Sequence, residues 1–161
     1  MGFALLPIAV FAFFLGIVVA ERNHSQDILP PSIVTQADES GQMFVAYRNA
    51  VAIYQQNNPT YVGVAPITAT PTGQFSAAFL STAGNAITVT ASGTGRVVTS
   101  YAALPAGAIT VALAITQNDA SLGMATGTTW TSYAQGVNTT PVPLATAVPN
   151  GDVVSVVQIG I

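Results

Sequence analysis

The feature that most constrains this chain is an uncharged stretch near its start, FALLPIAVFAFFLGIVVA, which extends from Phe3 to Ala20. At a rise of about 1.5 Å per residue, a helix of this length measures about 27 Å, close to the hydrocarbon thickness of a bilayer. An amphipathic helix of a soluble domain would carry a polar stripe, and this stretch has none. The sequence therefore predicts that residues 3–20 enter a membrane.

Three interpretations of this span stay open. Val18 and Ala20 are small residues at the −3 and −1 positions of a signal peptidase site, but no basic region precedes the apolar run. Gly2-Phe3 resembles the junction that prepilin peptidases cut, but Pro7 stands where type IV pilins carry Glu. We favour an uncleaved anchor over a cleaved signal peptide or a pilin leader. Each of the three places the rest of the chain outside the cytoplasm.

Charge and cysteine content exclude several classes of function. Charged residues make up only 6% of the chain, and the formal net charge is −3. The three cations, Arg22, Arg48 and Arg96, are too few to neutralise a row of phosphates, so we predict no nucleic-acid partner. The chain also contains no cysteine, which removes disulfides, thiolate catalysis and Cys-based metal sites.

The chain divides into a span, a spacer and a domain. The hydrophobic span occupies residues 1–21, as anchor or signal. The pair Pro30-Pro31 disfavours helical continuity, which predicts a proline-containing spacer over residues 22–36. Residues 37–161 are long enough to form one exported domain with a modest core.

Apolar periodicity predicts an α+β fold for this domain. Aromatic and apolar residues at helical spacing predict an amphipathic helix over 37–57. After Pro59 the chain is rich in turn residues, and the proline-rich stretch 142–152 predicts a connection that ends in a turn. The other predicted elements are a hairpin over 86–102, a short helix over 106–117, a strand over 121–127 and a final strand over 153–160. We expect an N-terminal transmembrane helix followed by a small exported domain, with an antiparallel sheet packed on the amphipathic helix.

Side chains that support catalysis are scarce and scattered. His24 is the single histidine and has no partner at metal-ligand spacing. The adjacent pair Asp38-Glu39 suits a helix N-terminus, and no second pair suggests acid–base work on a glycoside. The serines have no His or Lys base within the domain. We therefore predict that the protein is not an enzyme and has no catalytic, cofactor-binding or metal site.

Four residues are candidates for a contact surface. Trp130 and Tyr133 lie in the polar segment GTTWTSY, and aromatic residues on polar loops often anchor interfaces. Arg48 and Arg96 are the two cations of the domain, although a solvated position on the helix surface is the simpler expectation for Arg48. We select Arg48, Arg96, Trp130 and Tyr133 as the residues to test.

Two segments of the chain resemble a known family. FVAYRNAVAIYQQNNP is similar to a helix of the PilM family of type IVB (thin, conjugative) pilus biogenesis proteins, which is distinct from the actin-like cytoplasmic protein of the same name. The final segment TTPVPLATAVPNGDVVSVVQIG resembles that family's closing pattern. The positions that carry the helix resemblance are Phe44, Tyr47, Arg48, Asn49, Ala50, Val51, Tyr54 and Pro59.

The resemblance implies a non-enzymatic component of a type IVB pilus or a related secretion apparatus. Such a component would cross the bacterial inner membrane once, through residues 3–20, and hold its domain in the periplasm. Its partners would be other pilus or secretion apparatus proteins, or further copies of itself. Two alternatives stay open: a polymerising pilin-like or minor pilin-like filament subunit, and a secreted surface or adhesion module that is released into the periplasm or beyond after signal cleavage.

Overall fold

The computed structural model describes residues 31–68, 75–137 and 139–160. The predicted membrane span and the first part of the predicted spacer lie outside these residues. Within the described ranges, no helix combines the length and the apolar character needed to cross a membrane. A compact unit extends from Thr35 to Ile161.

Three α-helices occur in the described part of the chain: α1 (Pro31–Asn57), α2 (Ala77–Thr82) and α3 (Ala108–Ile115). The helix α1 begins six residues before the predicted start, so the last part of the predicted spacer, residues 31–36, is helical. Proline fits the first turn of a helix because its fixed φ is helical and the N–H it lacks would have no acceptor there. Pro31 is therefore compatible with a helical first turn, whereas the prediction that the proline pair interrupts a helix coming from the span concerns residues outside the described ranges.

The remaining helices differ in how well the sequence predicts them. The short helix α3 confirms the helix predicted over 106–117. The sequence does not predict α2, which has only one turn and a half. The hydroxyl of Ser76 caps its start by accepting a hydrogen bond from the N–H of Phe79 at 3.1 Å.

Within the described ranges, six antiparallel strands form one sheet, in the order β1-β2-β6-β3-β4-β5. The α+β class with an antiparallel sheet is thereby confirmed, as are the predicted hairpin and final strand. That final strand lies inside the sheet, between β2 and β3. The strands are β1 (Ala83–Val89), β2 (Arg96–Ala102), β3 (Leu122–Ala125), β4 (Gly127–Ser132), β5 (Val142–Val148) and β6 (Val153–Ile159).

The sequence does not predict strands β4 and β5. Proline has no N–H to donate to the hydrogen bonds between strands, so Pro143 makes the segment VPLATAV resemble a connection rather than a strand. The strand β5 lies at one end of the strand order, where a missing N–H is tolerated. Its pairing with β4 also shifts register between Gly127 and Thr129, so the two strands do not form one regular ladder.

The main core lies between α1 and one face of the sheet. The apolar stripe of α1 is buried as predicted, and Phe44 and Val51 have no exposed surface. The ring of Tyr47 meets those of Phe75 and Phe79 edge to face, with centroids 5.8 and 5.6 Å apart. From the sheet, the cluster receives Ile87, Val98, Ala102, Leu122 and Val153.

One buried amide connects this core to the chain that follows α1. Asn85 accepts a hydrogen bond from the N–H of Ala65 at 2.7 Å and donates to the carbonyl of Ala65 at 3.1 Å. It also donates to the hydroxyl of Tyr47 at 2.9 Å. Burial raises the pKa of Tyr47, and the hydrogen bond from Asn85 offsets this only in part. Tyr47 is therefore neutral and structural.

The opposite face of the sheet carries a second, smaller core. Val153 and Val154 are adjacent in β6, and because side chains alternate across a strand they belong to different cores. Val154 packs with Ala125, Trp130 and Val148, and half-buried Tyr101, Leu144 and Val156 surround them. The strand β5 comes close to β2 although three strands separate them in the sheet, so β5 bends across this face and covers it.

Candidate contact surface

Arg48 is an internal connector of the fold. Its Nη2 lies 2.8 Å from Oδ2 of Asp119, and its Nη1 donates to the hydroxyls of Ser121 at 3.1 Å and Ser155 at 3.4 Å. Only 15% of its side chain is exposed. The expectation that this side chain is solvated on the helix surface was wrong, because Arg48 joins α1 to the turn after α3 and to β6.

The carboxylate of Asp119 is held in its ionised form. Burial by itself raises the pKa of Asp119, but hydrogen bonds from the backbone of Ser121 and from Arg48 outweigh this effect. The net result is a pKa below the ordinary value of an aspartate. The ion pair therefore persists at neutral pH and fixes the position of the turn.

Arg96, at the start of β2, has a comparable structural role. Its Nε donates to the carbonyl of Tyr61 at 3.3 Å, its Nη2 to that of Thr60 at 3.2 Å and its Nη1 to that of Gly95 at 3.0 Å. The bonds to Tyr61 and Thr60 attach the chain after α1 to the start of β2, and the third bond goes to the neighbouring residue Gly95. Arg96 is half-buried, and these donors are directed at the protein's own backbone.

Trp130 packs inside the protein. It is 9% exposed and belongs to the second core. Its indole Nε1 is buried and has no acceptor within the described residues. A depression of about 420 Å³ lies beside it, lined by Ala120, Trp130, Ser132, Val137, Thr140 and Val142.

Tyr133 lies on an open surface. It directly follows β4, and 54% of its surface is exposed. Its side chain borders a depression of about 520 Å³ between α3 and the segment that follows β4, which we name the α3 groove. The groove is lined by Thr110, Leu113, Ala114, Gln117, Asn118, Tyr133 and Gln135. The four predicted contact residues thus do not share one surface, and Tyr133 is the one that lines this groove.

An unusual turn at the end of α3 shapes the groove. Gln117 and Asn118 both adopt left-handed backbone conformations, with φ of 55° and 65°. Asparagine tolerates this region better than most residues, whereas glutamine is strained there. The N–H of Asn118 bonds the carbonyl of Leu113 at 2.7 Å, which closes the helix end.

The side chain of Asn118 joins the two walls of the groove. Its Nδ2 donates to the carbonyl of Gln135 at 3.0 Å, and its Oδ1 accepts from the N–H of Gln135 at 2.9 Å. This pair of bonds holds the segment after β4 against the end of α3. The sequence marks Asn118 as a helix stop, but its partner is 17 residues away and carries no local signal.

Further hydrogen bonds hold the same turn from the side of the sheet. Asp119 accepts from the N–H of Ser121 at 2.9 Å. The hydroxyl of Ser132 donates to the carbonyl of Ala120 at 2.9 Å and accepts from the N–H of Ala134 at 3.3 Å. Together with Arg48, these contacts make the groove a preformed feature.

The chemistry of the α3 groove is neutral. Its lining side chains are amides, hydroxyls and apolar groups, and none of them is a carboxylate, a histidine or a basic group. In the part of the chain that the structure describes, no three His, Cys, Asp or Glu side chains come together as a metal site would need. The arrangement can therefore pack apolar groups and exchange neutral hydrogen bonds.

Comparison with known proteins assigns the family. The PilM family model matches residues 10–156. The chain belongs to the PilM family. The match includes α1, the whole α3 groove and most of β6, and it confirms the resemblance to the pilus-related family rather than to the actin-like protein. Among curated proteins and among solved structures, none matches this PilM family member significantly.

Proposed function

We propose that this protein is a non-enzymatic component of a type IVB pilus biogenesis machinery or a related secretion apparatus. The observation that carries the proposal is the PilM family match over residues 10–156, which gives the protein a pilus-related role. The uncharged stretch 3–20 supports a single-pass anchor in the bacterial inner membrane, with the α+β domain in the periplasm. In this arrangement the domain acts by contact with other proteins of the apparatus.

The α3 groove is the contact surface that the structure favours. It combines an exposed aromatic ring, the apolar side chains of Leu113 and Ala114 and neutral polar groups, a mixture that is typical of protein–protein interfaces. Its walls are fixed by the Asn118–Gln135 bonds and the Arg48–Asp119 ion pair. Little conformational entropy is therefore lost when a partner binds. In this proposal Tyr133 contacts the partner, and Arg48 positions the turn beside it.

The first test is made in a bacterium that produces the protein and its pilus. Deletion of the gene is expected to abolish pilus assembly. A photoreactive phenylalanine analogue at position 133 is then expected to form crosslinks to another apparatus protein. The control carries the same analogue in place of Ile53, which lies on α1 and is 56% exposed. Normal pili after the deletion would refute the proposed role.

The mature N-terminus separates this proposal from the two alternatives. Intact-mass and N-terminal peptide analysis of the exported protein is expected to show a start at Met1 or Gly2, which retains the anchor. A start at Phe3 would instead indicate a filament subunit. A start at Glu21 would indicate a released domain.

A further inference from the structure

We propose that a cavity at the start of β2 binds a small carboxylate that carries a hydrogen-bond donor next to its carboxyl group. The cavity measures about 300 Å³ and lies where the end of α1, the turn before β2 and the end of β6 meet. We name it the Arg96 cavity. It shares no lining residue with the α3 groove, so the inference does not rest on the proposed function.

Arg96 brings to this cavity a positive charge that no carboxylate neutralises. Among the residues that the structure describes, the single ion pair joins Arg48 to Asp119. The partners of Arg96 are three backbone carbonyls, which carry no net charge. The side chain is also half-buried, and water and salt screen a half-buried charge less than an exposed one. The cavity therefore favours a ligand with a negative charge.

The guanidinium of Arg96 retains donors for such a ligand. Of its five N–H groups, three bond to the backbone: Nε to Tyr61, Nη1 to Gly95 and Nη2 to Thr60. One N–H on each of the two terminal nitrogens is left without an acceptor in the described part of the chain. Two donors match the two oxygens of a carboxylate. A phosphate dianion would bring a second negative charge, and no other cation lines the cavity.

Gln55 supplies an unused acceptor at the same cavity. Only 2% of this residue is exposed, and its Nε2 donates to the carbonyl of Pro59 at 3.0 Å. Because a carbonyl can only accept, this bond fixes which end of the amide is the oxygen. That oxygen, Oε1, is buried and receives no hydrogen bond from any described residue. A buried acceptor without a donor is costly, and an N–H or O–H of a ligand would satisfy it.

Together these two side chains define the class of ligand. The carboxylate would pair with Arg96, and a donor on the neighbouring atom would bond to Oε1 of Gln55. Gly95 and Gly160 also line the cavity and add no side chain that would fill it. Ligand pockets measure about 300–1,000 Å³, so this small cavity suits one short molecule or the end of a chain. The C-terminal residue of a peptide and a free 2-hydroxy acid both have the required chemistry.

The test is an NMR titration of the full-length protein in detergent micelles. N-acetylglycine represents the peptide C-terminus, and glycolate represents the free acid. Three comparison ligands each change one feature: N-acetylsarcosine lacks the N–H, N-acetylglycinamide lacks the charge, and inorganic phosphate replaces the carboxylate. The signals followed are the Nε–H of Arg96 and the side-chain amide of Gln55. Concentrations extend to about 20 mM, since a ligand of this size has a dissociation constant of about 1 mM or weaker.

We expect N-acetylglycine or glycolate to bind at least about tenfold tighter than each comparison ligand, and to bind more weakly as salt is added. The tighter of the two identifies the source of the carboxylate. Gln55→Met keeps the size of the side chain but removes the acceptor, so N-acetylglycine and N-acetylsarcosine are expected to bind this variant equally. The control Gln42→Met, at an exposed position of the same helix, keeps the difference between them.

A second variant tests the cation. Arg96→Lys keeps the charge but loses the planar pair of donors, and it is expected to weaken binding about tenfold or more. The shifts in the unaltered protein locate the site even if this variant does not fold. Four results would overturn the inference: no binding of either acid, equal binding of N-acetylsarcosine by the unaltered protein, tighter binding of phosphate, or shifts that omit both Arg96 and Gln55.

Discussion

The ion pair between Arg48 and Asp119 gives the sharpest test of how the groove is held. The variants are Arg48→Gln, Asp119→Asn and the double variant. Asparagine at position 119 keeps an oxygen that can accept the N–H of Ser121, so the change removes the charge and spares the turn hydrogen bond. A double-mutant cycle then isolates the coupling energy between the two side chains.

The structure sets the expected magnitude. At 2.8 Å, with an effective dielectric constant of about 20, the Coulomb attraction between unit charges is about 6 kcal/mol. Both groups lose part of their hydration on folding, since Arg48 keeps 15% and Asp119 32% of its side-chain exposure. Exposed pairs contribute about 0.2–1 kcal/mol, and loss of one partner of a buried pair costs about 3–5 kcal/mol. For this intermediate case we expect a coupling energy of about 2 kcal/mol.

Urea unfolding of the detergent-solubilised protein measures this coupling. The single tryptophan, Trp130, is buried and reports unfolding by its fluorescence. Because the pKa of Asp119 is lowered in the folded protein, the ion pair contributes fully above the unfolded aspartate pKa of about 4. Its contribution is lost as the pH falls through the folded pKa. We therefore expect the coupling energy to be constant between about pH 5 and pH 7 and to disappear in more acidic solution. A coupling below about 0.5 kcal/mol at pH 7, or one that survives full protonation, would refute the reasoning.

Two further predictions concern other parts of the fold. Alanine usually stabilises a helix by about 1 kcal/mol relative to glycine, but a Cβ at Gly41 would lie 2.7 Å from the carbonyl oxygen of Ala108 in α3. Gly41→Ala is therefore expected to lower the free energy of unfolding by about 1–3 kcal/mol. The control Gln42→Ala, at an exposed position of the same helix, is expected to change it little. A stabilised Gly41→Ala variant would contradict the close contact between the helices. Burial raises the pKa of Asp152 above that of an aspartate in the unfolded chain, which is about 4. The buried carboxyl therefore lowers the free energy of unfolding more and more as the pH rises from about 4 through the folded pKa. Asp152→Asn is expected to stabilise the protein at pH 7 but not at pH 3 in urea unfolding, unlike the exposed control Glu39→Gln, and an equal gain at both pH values would argue against this cause.

Local patterns predicted much of the fold. The aromatic stripe of α1, the hairpin of β1 and β2, the helix α3 and the strand β6 all follow from periodicity and turn residues within a short window. Proline accounts for the missed strand β5, because Pro143 is tolerated at this edge position although it usually argues against a strand. The missed elements α2 and β4 contain no proline, and they form only when the rest of the sheet and core are in place.

The candidate site was predicted only in part. Tyr133 could be selected because an aromatic residue in a polar segment suggests an exposed ring. The same reasoning selected Trp130, which the second core buries. The two arginines were selected for their charge, but the structure directs Arg48 to Asp119 and Arg96 to backbone carbonyls. Whether a side chain is exposed depends on which residues distant in sequence pack against it. The exposure of these four side chains could therefore not be derived from composition.

By itself, the sequence determined the apolar stretch, the low charge, the lack of cysteine and the α+β class, because these depend on composition and on contacts within a few residues. The tertiary structure alone decided the strand order, with β6 in the interior of the sheet, and the second core under β5. It also decided the α3 groove, whose walls are joined by Asn118 and Gln135. These features depend on which distant segments pair, and that choice is made by the packing of the whole domain rather than by any local pattern.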